Sequence, residues 1–157
     1  MKKIDKEKLD EFLIQVDNRE QVPWLFGNRT VFKSLPAGDY TVIYNDVSYQ
    51  DKIVIERKSS VSELFQATGR ERERFVRELE KLAVVKYKWI VCEFDYLAIV
   101  NEQPPGILQP IAVYGSILAW HVKFNVPFFF AGNRKNARAS SYKLLENYVK
   151  YKILELK

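Results

Sequence analysis

The chain has 157 residues, of which 47% are hydrophobic and 14% aromatic, which fits one globular domain and excludes an intrinsically disordered protein. Its 25 basic and 20 acidic residues give a net charge of +5, a modest excess that is compatible with a polyanionic partner without being specific for one. One cysteine, Cys92, excludes an internal disulfide framework. Neither a signal peptide nor a run of about 20 apolar residues is present, so we expect a soluble, cytoplasmic protein without a membrane partner.

The first half of the chain alternates short β-prone runs with turn residues. A weak helical period follows Asp5, a candidate N-cap, and Leu13–Val16 is predicted as a strand. Three further runs, at 31–35, 40–44 and 52–56, are rich in β-branched and aromatic residues and are separated by turn sequences. We predict that these three runs form an antiparallel meander.

The second half changes to helical periods that alternate with continuous apolar runs. Predicted helices cover residues 62–66 (capped by Ser62), 70–85, 108–124 and 133–154, predicted buried strands cover 88–94 and 126–130, and a loop covers 101–105. Strands that are linked through helices imply right-handed crossovers onto a mixed sheet. The predicted fold is therefore α/β, a three-layer sandwich with a central mixed sheet flanked by helices.

Charged residues stand at the ends of several predicted strands, where an α/β sheet usually presents its functional groups. Asp17 and Glu20 follow the first strand, and Asp39 lies in the turn before the run at 40–44. Glu56 and Lys58 are two positions apart at the end of a strand, so their side chains project from the same face. We expect these groups to meet at one edge of the sheet.

Three carboxylates in one place repel one another unless a cation compensates them. Oxygen ligands without His or Cys suit Mg²⁺, for which Mn²⁺ can substitute, and the chemistry that such a site favours is hydrolysis of a phosphodiester. The lysine would either accept the proton of the attacking water or stay charged and stabilise the developing negative charge. On spacing alone, solvated strand ends are the more common source of such a pattern.

These residues resemble the signature of the XPF-type nuclease domain, which occurs in XPF, archaeal Hef and smaller bacterial and phage proteins. The matching motifs run in order from about residue 16 to 148. They are Val16-Asp17-Asn18-Arg19-Glu20 for V-D-x-R-E, Gly38-Asp39-Tyr40 for G-D-Y, Ile55-Glu56-Arg57-Lys58-Ser59 for E-R-K-S, Arg74-Phe75 with Glu78-Leu79, Ile90-Val91-Cys92-Glu93, Gly115-Ser116-Ile117, and Val126 to Phe130 with Arg134 and Ala137.

The resemblance implies a restriction-endonuclease-like fold and a Mg²⁺-dependent endonuclease that cuts branched, flap or junction DNA in repair, recombination or replication. It implies that Asp17, Asp39 and Glu56 are metal ligands, and that Lys58, together with Glu56 and Asp39, is catalytic. Arg19, Glu20 and Arg57 match motif positions with supporting roles. A bacterial form would act at the nucleoid, and a phage-encoded form in the host cytoplasm. Family nuclease domains also pair, so a homodimer or heterodimer is expected.

The chain departs from the family pattern in two places. The fourth residue after Lys58 is Ser62, with Glu63 next, where the family often has Asp. Residues 1–157 are expected to be a single nuclease domain without the helix-hairpin-helix domain of longer members, which weakens the case for branch selectivity. Two alternatives remain: a non-catalytic DNA-binding or scaffold subunit of a nuclease complex, and a nuclease that cuts plain duplex or single-stranded DNA.

Several other features allow two interpretations each. Arg70, Arg74, Arg134 and Arg138 are candidate DNA-binding residues, although scattered arginines of this kind are usually solvated. Trp24 is a core anchor or a platform for an unpaired base. The apolar segment 107–124 is either wholly buried or part of a dimer interface.

Overall fold

The computed structural model describes residues 4–102 and 108–155. The predicted loop at 101–105 lies outside these residues from position 103 onward, and so does position 107 of the apolar segment. The helices are α1 (Lys6–Leu9), α2 (Val61–Thr68), α3 (Arg72–Ala83), α4 (Leu97–Asn101), α5 (Pro110–Phe124) and α6 (Arg134–Tyr148), which continues as a π-helix (Val149–Leu154). The strands are β1 (Leu13–Val16), β2 (Thr30–Phe32), β3 (Tyr40–Tyr44), β4 (Val47–Ser48), β5 (Ile53–Lys58), β6 (Tyr87–Cys92) and β7 (Phe128–Phe130).

The strands form one mixed sheet in the order β2-β1-β3-β5-β6-β7, with β4 paired to β3. Strand β3 is antiparallel to both β1 and β5, whereas β5, β6 and β7 run parallel. The parallel half is joined through helices, as right-handed crossovers require. The predicted α/β sandwich with a central mixed sheet is confirmed.

The predicted meander is wrong in one strand. The run at 31–35 was expected to pair with the run at 40–44, but β2 covers Thr30–Phe32 and pairs in parallel with the outer edge of β1. The antiparallel unit is β1-β3-β5 instead. The nine residues between Val16 and Phe26 carry the chain back across the end of the sheet, and this return makes the pairing of β2 with β1 parallel. A hydrogen bond from the Phe26 amide to Thr30 Oγ1 (2.8 Å) fixes the chain just before β2.

The helix that follows β5 begins earlier than expected. Ser60, not Ser62, caps α2, because its side chain accepts the Glu63 amide hydrogen at 3.2 Å. The Glu63 carboxylate in turn accepts from the Ser59 amide (3.2 Å) and hydroxyl (2.5 Å), an arrangement close to a capping box. Ser62, where the chain departs from the family pattern, thus lies in the first turn of a well-capped helix. Short helix α4 was not predicted.

Two hydrophobic clusters lie on opposite faces of the sheet. One joins α2, α3 and α5 to inward residues such as Val54, Ile90 and Cys92. The other joins α6 and its π-helical continuation to Ile53, Ile55 and Val91. Alternate residues of β5 and β6 therefore serve the two clusters, as the pleat requires, and the molecule has three layers.

Helix α5 is not wholly buried. Ile111, Leu118 and Val122 are 80%, 63% and 86% exposed, while Val113, Ile117 and Trp120 pack inward. The interpretation that this segment is wholly buried is therefore wrong, and its part in a dimer stays a prediction. Of the helices in the described ranges, none is long and apolar enough to cross a membrane.

Candidate active site

Main-chain hydrogen bonds align the three motif segments at one end of the sheet. The Asp17 amide donates to the Asp39 carbonyl (2.8 Å), and the Asp39 amide donates to the Ile55 carbonyl (2.9 Å). Asp39 thus lies between the end of β1 and the half of β5 that carries Glu56 and Lys58. Antiparallel pairing of β3 with both neighbours produces this convergence, because it places the start of β3 beside the ends of β1 and β5.

Gly38 allows the chain to enter β3 at this point. Its φ is +70°, and a Cβ there would lie 2.0 Å from Val54 Cγ1. The position therefore combines a left-handed backbone with close contact to a buried strand, and only glycine meets both conditions. The glycine of the G-D-Y motif thus places Asp39.

The converging side chains line an open cleft of about 280 Å³. Its described lining includes all four leading candidates, the supporting residues and three further charged residues, namely Asp17, Arg19, Glu20, Asp39, Glu56, Arg57, Lys58, Glu63, Arg74 and Glu78, together with Gly38. The sequence prediction that these groups meet at one sheet edge is consistent with this geometry. The cleft opens to solvent.

Negative charge is concentrated around Asp39. Burial, followed by the carboxylates of Glu56 and Glu20, raises the pKa of Asp39 well above its ordinary value. The Arg57 amide donates to Asp39 Oδ2 at 2.7 Å and opposes this rise. Burial also raises the pKa of Glu56. Burial and mutual repulsion make these carboxylates costly to ionise, and a bound cation would stabilise their charged forms.

Lys58 is the cation that contacts Glu56. Its ammonium lies 3.2 Å from Glu56 Oε1, with both side chains 12% exposed, and 4.5 Å from the centre of the Phe75 ring. Burial disfavours the charged form, but Glu56 and Asp39 outweigh it, so the pKa of Lys58 is raised. As the side chains stand, Lys58 is protonated and suited to stabilise negative charge.

Asp17 points into the same cleft but is paired with Arg19. The Arg19 guanidinium contacts both carboxylate oxygens, at 2.5 Å for Nη2 to Oδ2 and 3.0 Å for Nε to Oδ1, and the Arg19 amide also donates to Oδ1 at 2.9 Å. The Leu35 amide lies 3.4 Å from Oδ2. Burial opposes ionisation, but these contacts outweigh it and lower the pKa of Asp17.

The donor set fits a hard divalent cation by its chemistry, since Asp17, Asp39 and Glu56 offer carboxylate oxygens only. Within residues 4–102 and 108–155, however, no three acidic, His or Cys side chains stand close enough to form a ready-made metal cluster. The contact of Asp17 with Arg19 is consistent with that finding.

A buried ionic network supports the cleft from behind. The Arg57 guanidinium contacts Glu93 (2.9 Å) on one side and Glu20 (3.1 Å) on the other, and the side chains of Arg57 and Glu93 are both 8% exposed. Glu93 Oε1 also accepts from Trp24 Nε1 at 2.7 Å and from Arg134 at 3.3 Å. Four segments of the chain thus meet at one carboxylate.

The candidate DNA-binding arginines separate into two groups. Arg74 lines the cleft and is 73% exposed, whereas Arg70 is exposed but does not belong to the cleft lining. Arg134 and Arg138 donate to the backbone carbonyls of Val22, Pro23 and Leu25. These two side chains hold the segment before β2 and are not brought to the cleft.

Trp24 is a core residue. It is fully buried and stacks on Tyr40 with ring centres 4.7 Å apart, which excludes the stacking-platform interpretation. Sequence reasoning missed the roles of Glu63, Glu78 and Glu93. Glu78 and Glu93 stood in the motif match, which was the available signal, but nothing local distinguished them from solvated acids.

Comparisons with known proteins identify the family and the fold of the chain. The ERCC4 domain model matches residues 16–144, so the chain belongs to the ERCC4 domain family. Its structure is similar to that of XPF from Aeropyrum pernix (TM-score 0.65, 18% identity), with 87% of this chain and 65% of that chain covered. It is also similar to XPF from Aeropyrum pernix in complex with DNA (TM-score 0.64, 19% identity), covering 88% of this chain and 65% of that one.

The fold is therefore that of the XPF nuclease domain, a restriction-endonuclease-like α/β fold. The chain spans less than two thirds of the length of either Aeropyrum pernix chain. No curated protein matches the sequence.

Proposed function

We propose that this protein is a metal-dependent DNA endonuclease whose active site is the cleft around Asp39, Glu56 and Lys58. The observation that carries the proposal is the convergence of three family motifs on one cleft, with Glu56 and Lys58 side by side on β5 and Asp39 directly before the adjoining strand β3. The XPF fold and the ERCC4 family match support nuclease chemistry. DNA as substrate is supported by the DNA complex of the structurally similar XPF.

A Mg²⁺ or Mn²⁺ ion is the proposed cofactor, held by Asp39 and Glu56 with Asp17 as a further ligand. Such an ion would lower the pKa of bound water and neutralise charge on a phosphate. The excess negative charge around Asp39 supports this assignment. Arg19 covers Asp17 as the side chains stand, so binding through Asp17 would replace that contact.

Lys58 and Arg74 are assigned to the phosphate. Lys58 is fixed between Glu56 and the Phe75 ring, which orients its charge without tying it to the backbone. A fixed cation aimed at the position where charge develops stabilises a transition state more than a mobile one does. Arg57 and Glu20 act through the network behind the cleft and keep the backbone that carries Glu56 in position.

A cleavage panel tests the proposal. The full chain is incubated with flap, fork, four-way-junction, plain-duplex and single-stranded DNA, each with Mg²⁺, Mn²⁺ or EDTA. We expect cleavage that requires the metal and is lost in Asp39→Asn, Glu56→Gln and Lys58→Ala. Asp46→Asn and Glu80→Gln, at exposed positions away from the cleft, are the matched controls, and thermal melting checks that each variant is folded.

Each rival has its own outcome in the same panel. Metal-dependent cleavage of branched substrates alone supports selectivity for DNA structure in repair, recombination or replication, whereas equal cutting of plain duplex or single strands supports a less selective nuclease. If no substrate is cut under any condition while DNA is bound, the endonuclease proposal is wrong and a scaffold subunit is favoured.

Association through this domain, with a second copy or a related chain, is a separate proposal. The exposed apolar residues Ile111, Leu118 and Val122 on α5 support it, because a contiguous apolar face on a soluble domain commonly marks an interface. Light scattering on the wild type and Leu118→Glu tests it. A monomer at all concentrations, with no partner captured, would contradict it.

A further inference from the structure

A second pocket lies at the opposite end of the sheet from the cleft. It has a volume of about 260 Å³, and its lining includes four aromatic side chains and two polar ones, namely Tyr87, Trp89, Tyr148, Tyr151, Asn147 and Lys152. Ile53 also lines it and opens β5, whereas Glu56 and Lys58 close that strand. At about 3.3 Å per residue, Ile53 lies about 10 Å from Glu56 and about 16 Å from Lys58 along β5.

The walls of this aromatic pocket are held firmly but remain open to a ligand. Tyr148 is wedged edge-on between Tyr87 (ring centres 5.5 Å apart) and Tyr49 (5.7 Å). Tyr151 is 38% exposed, and Trp89 is partly exposed. Flat aromatic surfaces that are fixed in place can stack on another ring at little entropic cost.

Lysines lie beside the aromatic walls of the pocket, and one of them, Lys152, is part of its lining. The ammonium groups of Lys86 and Lys152 lie 5.6 and 5.7 Å from the centre of the Tyr87 ring, and that of Lys150 lies 4.8 Å from the Tyr151 ring. The nearby carboxylate of Asp51 is paired with Lys52 at 3.2 Å. The charge at the rim is therefore positive, and the interior is aromatic.

We infer that this pocket binds an unpaired base of a single DNA strand, with the surrounding lysines on its phosphates. Base stacking on aromatic side chains combined with a cationic border is the usual way to hold single-stranded nucleic acid without reading its sequence. The volume suits one ring system rather than a large apolar ligand. Three lysines spread around the rim match the repeated charges of a strand better than the single phosphate group of a free nucleotide. The inference rests on the proposed action on DNA.

Tryptophan fluorescence gives a direct readout of this site. Trp24 is fully buried and Trp120 is 3% exposed, so Trp89 is the tryptophan that a bound base can quench. The full chain, in EDTA to prevent cleavage, is titrated with oligothymidylate and with an abasic strand of equal length. We expect quenching by the first strand and much weaker quenching and binding with the second.

Variants of Tyr151 separate stacking from general charge attraction. Tyr151→Ala should weaken oligothymidylate binding roughly tenfold, within the range measured for loss of one stacked base, while Tyr151→Phe keeps the ring and the affinity. Tyr96→Ala removes another exposed tyrosine, 54% exposed, and serves as the control. Lys152→Gln should lower the salt dependence of binding by about one counterion.

Several results would overturn the inference. The inference is wrong if the abasic strand quenches equally or if folded Tyr151→Ala keeps its affinity. It is also wrong if thymidine monophosphate binds equally tightly, or if quenching grows with protein concentration in the absence of DNA. The cleavage panel separates this failure from that of the proposed function. Base-dependent quenching without any cleavage supports base binding in the pocket and contradicts the endonuclease proposal. Cleavage without base-dependent quenching supports the endonuclease and contradicts base binding in the pocket.

Discussion

Replacing Glu93 tests whether the ionic network behind the cleft holds that end of the sheet together. In Glu93→Ala, Arg57 loses a partner at 2.9 Å and Trp24 Nε1 loses its acceptor at 2.7 Å. Breaking a buried ion pair from one side costs about 3–5 kcal/mol, but Arg57 keeps Glu20 and the Val22 carbonyl. The orphaned indole N–H adds about 1–3 kcal/mol. Since the retained partners lower the first cost, we expect a total loss of about 3–4 kcal/mol.

Urea unfolding followed by circular dichroism measures this loss in the free energy of unfolding. A loss of 3–4 kcal/mol corresponds to a fall in melting temperature of about 10 °C for a chain of this size. Glu93→Gln keeps an oxygen for Trp24 and loses only the charge, so about 1–2 kcal/mol is expected. Lys143→Gln, which removes an exposed helical pair with Glu146, is the control and should leave the free energy of unfolding nearly unchanged, because solvent screens such pairs.

The reasoning would be refuted if Glu93→Ala cost no more than Lys143→Gln. That result would mean that Arg57 is satisfied by Glu20 and Val22 alone. A cost confined to Glu93→Ala but absent in Glu93→Gln would instead assign the effect to Trp24, because the amide preserves that hydrogen bond while discarding the charge.

Three further predictions concern single positions. Gly38→Ala should lower the free energy of unfolding by about 2–4 kcal/mol, from the left-handed backbone and the contact with Val54, and a loss below about 1 kcal/mol in urea unfolding would contradict this. Burial raises the pKa of the Cys92 thiol to about 12, whereas the unfolded thiol ionises near 8.5, so the free energy of unfolding should fall as the pH rises above about 9, and Cys92→Ala should lack this fall. Labelling of the thiol at pH 8 should be limited by opening of the fold, and rapid labelling of the folded protein would contradict this. Arg74→Ala should weaken DNA binding without changing stability and lower the salt slope by about one, which filter binding at several salt concentrations would reveal.

Local patterns in the sequence were enough to predict much of the architecture. The period of β5 places Glu56 and Lys58 on one face, and the amphipathic period of α3 places Phe75, Leu79 and Leu82 in the core. Both depend on the geometry of a single element, so no tertiary information is needed. The helix start at Ser60 was less accessible, because Ser60 and Ser62 are both competent caps and the choice depends on where β5 ends.

Contacts between distant segments could not be predicted in this way. The parallel pairing of β2 with β1 depends on how residues 17–29 return across the sheet end, and a strand's own sequence does not specify its neighbour. Arg134 and Arg138 resemble free cations in the sequence, yet they donate to carbonyls more than 100 positions away. Glu93 binds Trp24, Arg57 and Arg134 only because folding brings these three distant residues around its carboxylate.

The sequence by itself determined the α/β class, the family motifs and the set of charged residues at the strand ends, since these follow from periodicity and from residue order. The tertiary structure decided how those charges are used. Folding holds Asp39 between β1 and β5 through two main-chain hydrogen bonds, pairs Asp17 with Arg19, and places Lys58 over the Phe75 ring. The physical reason is that ion pairing, burial and pKa depend on distances of a few ångströms between segments that the chain order leaves far apart.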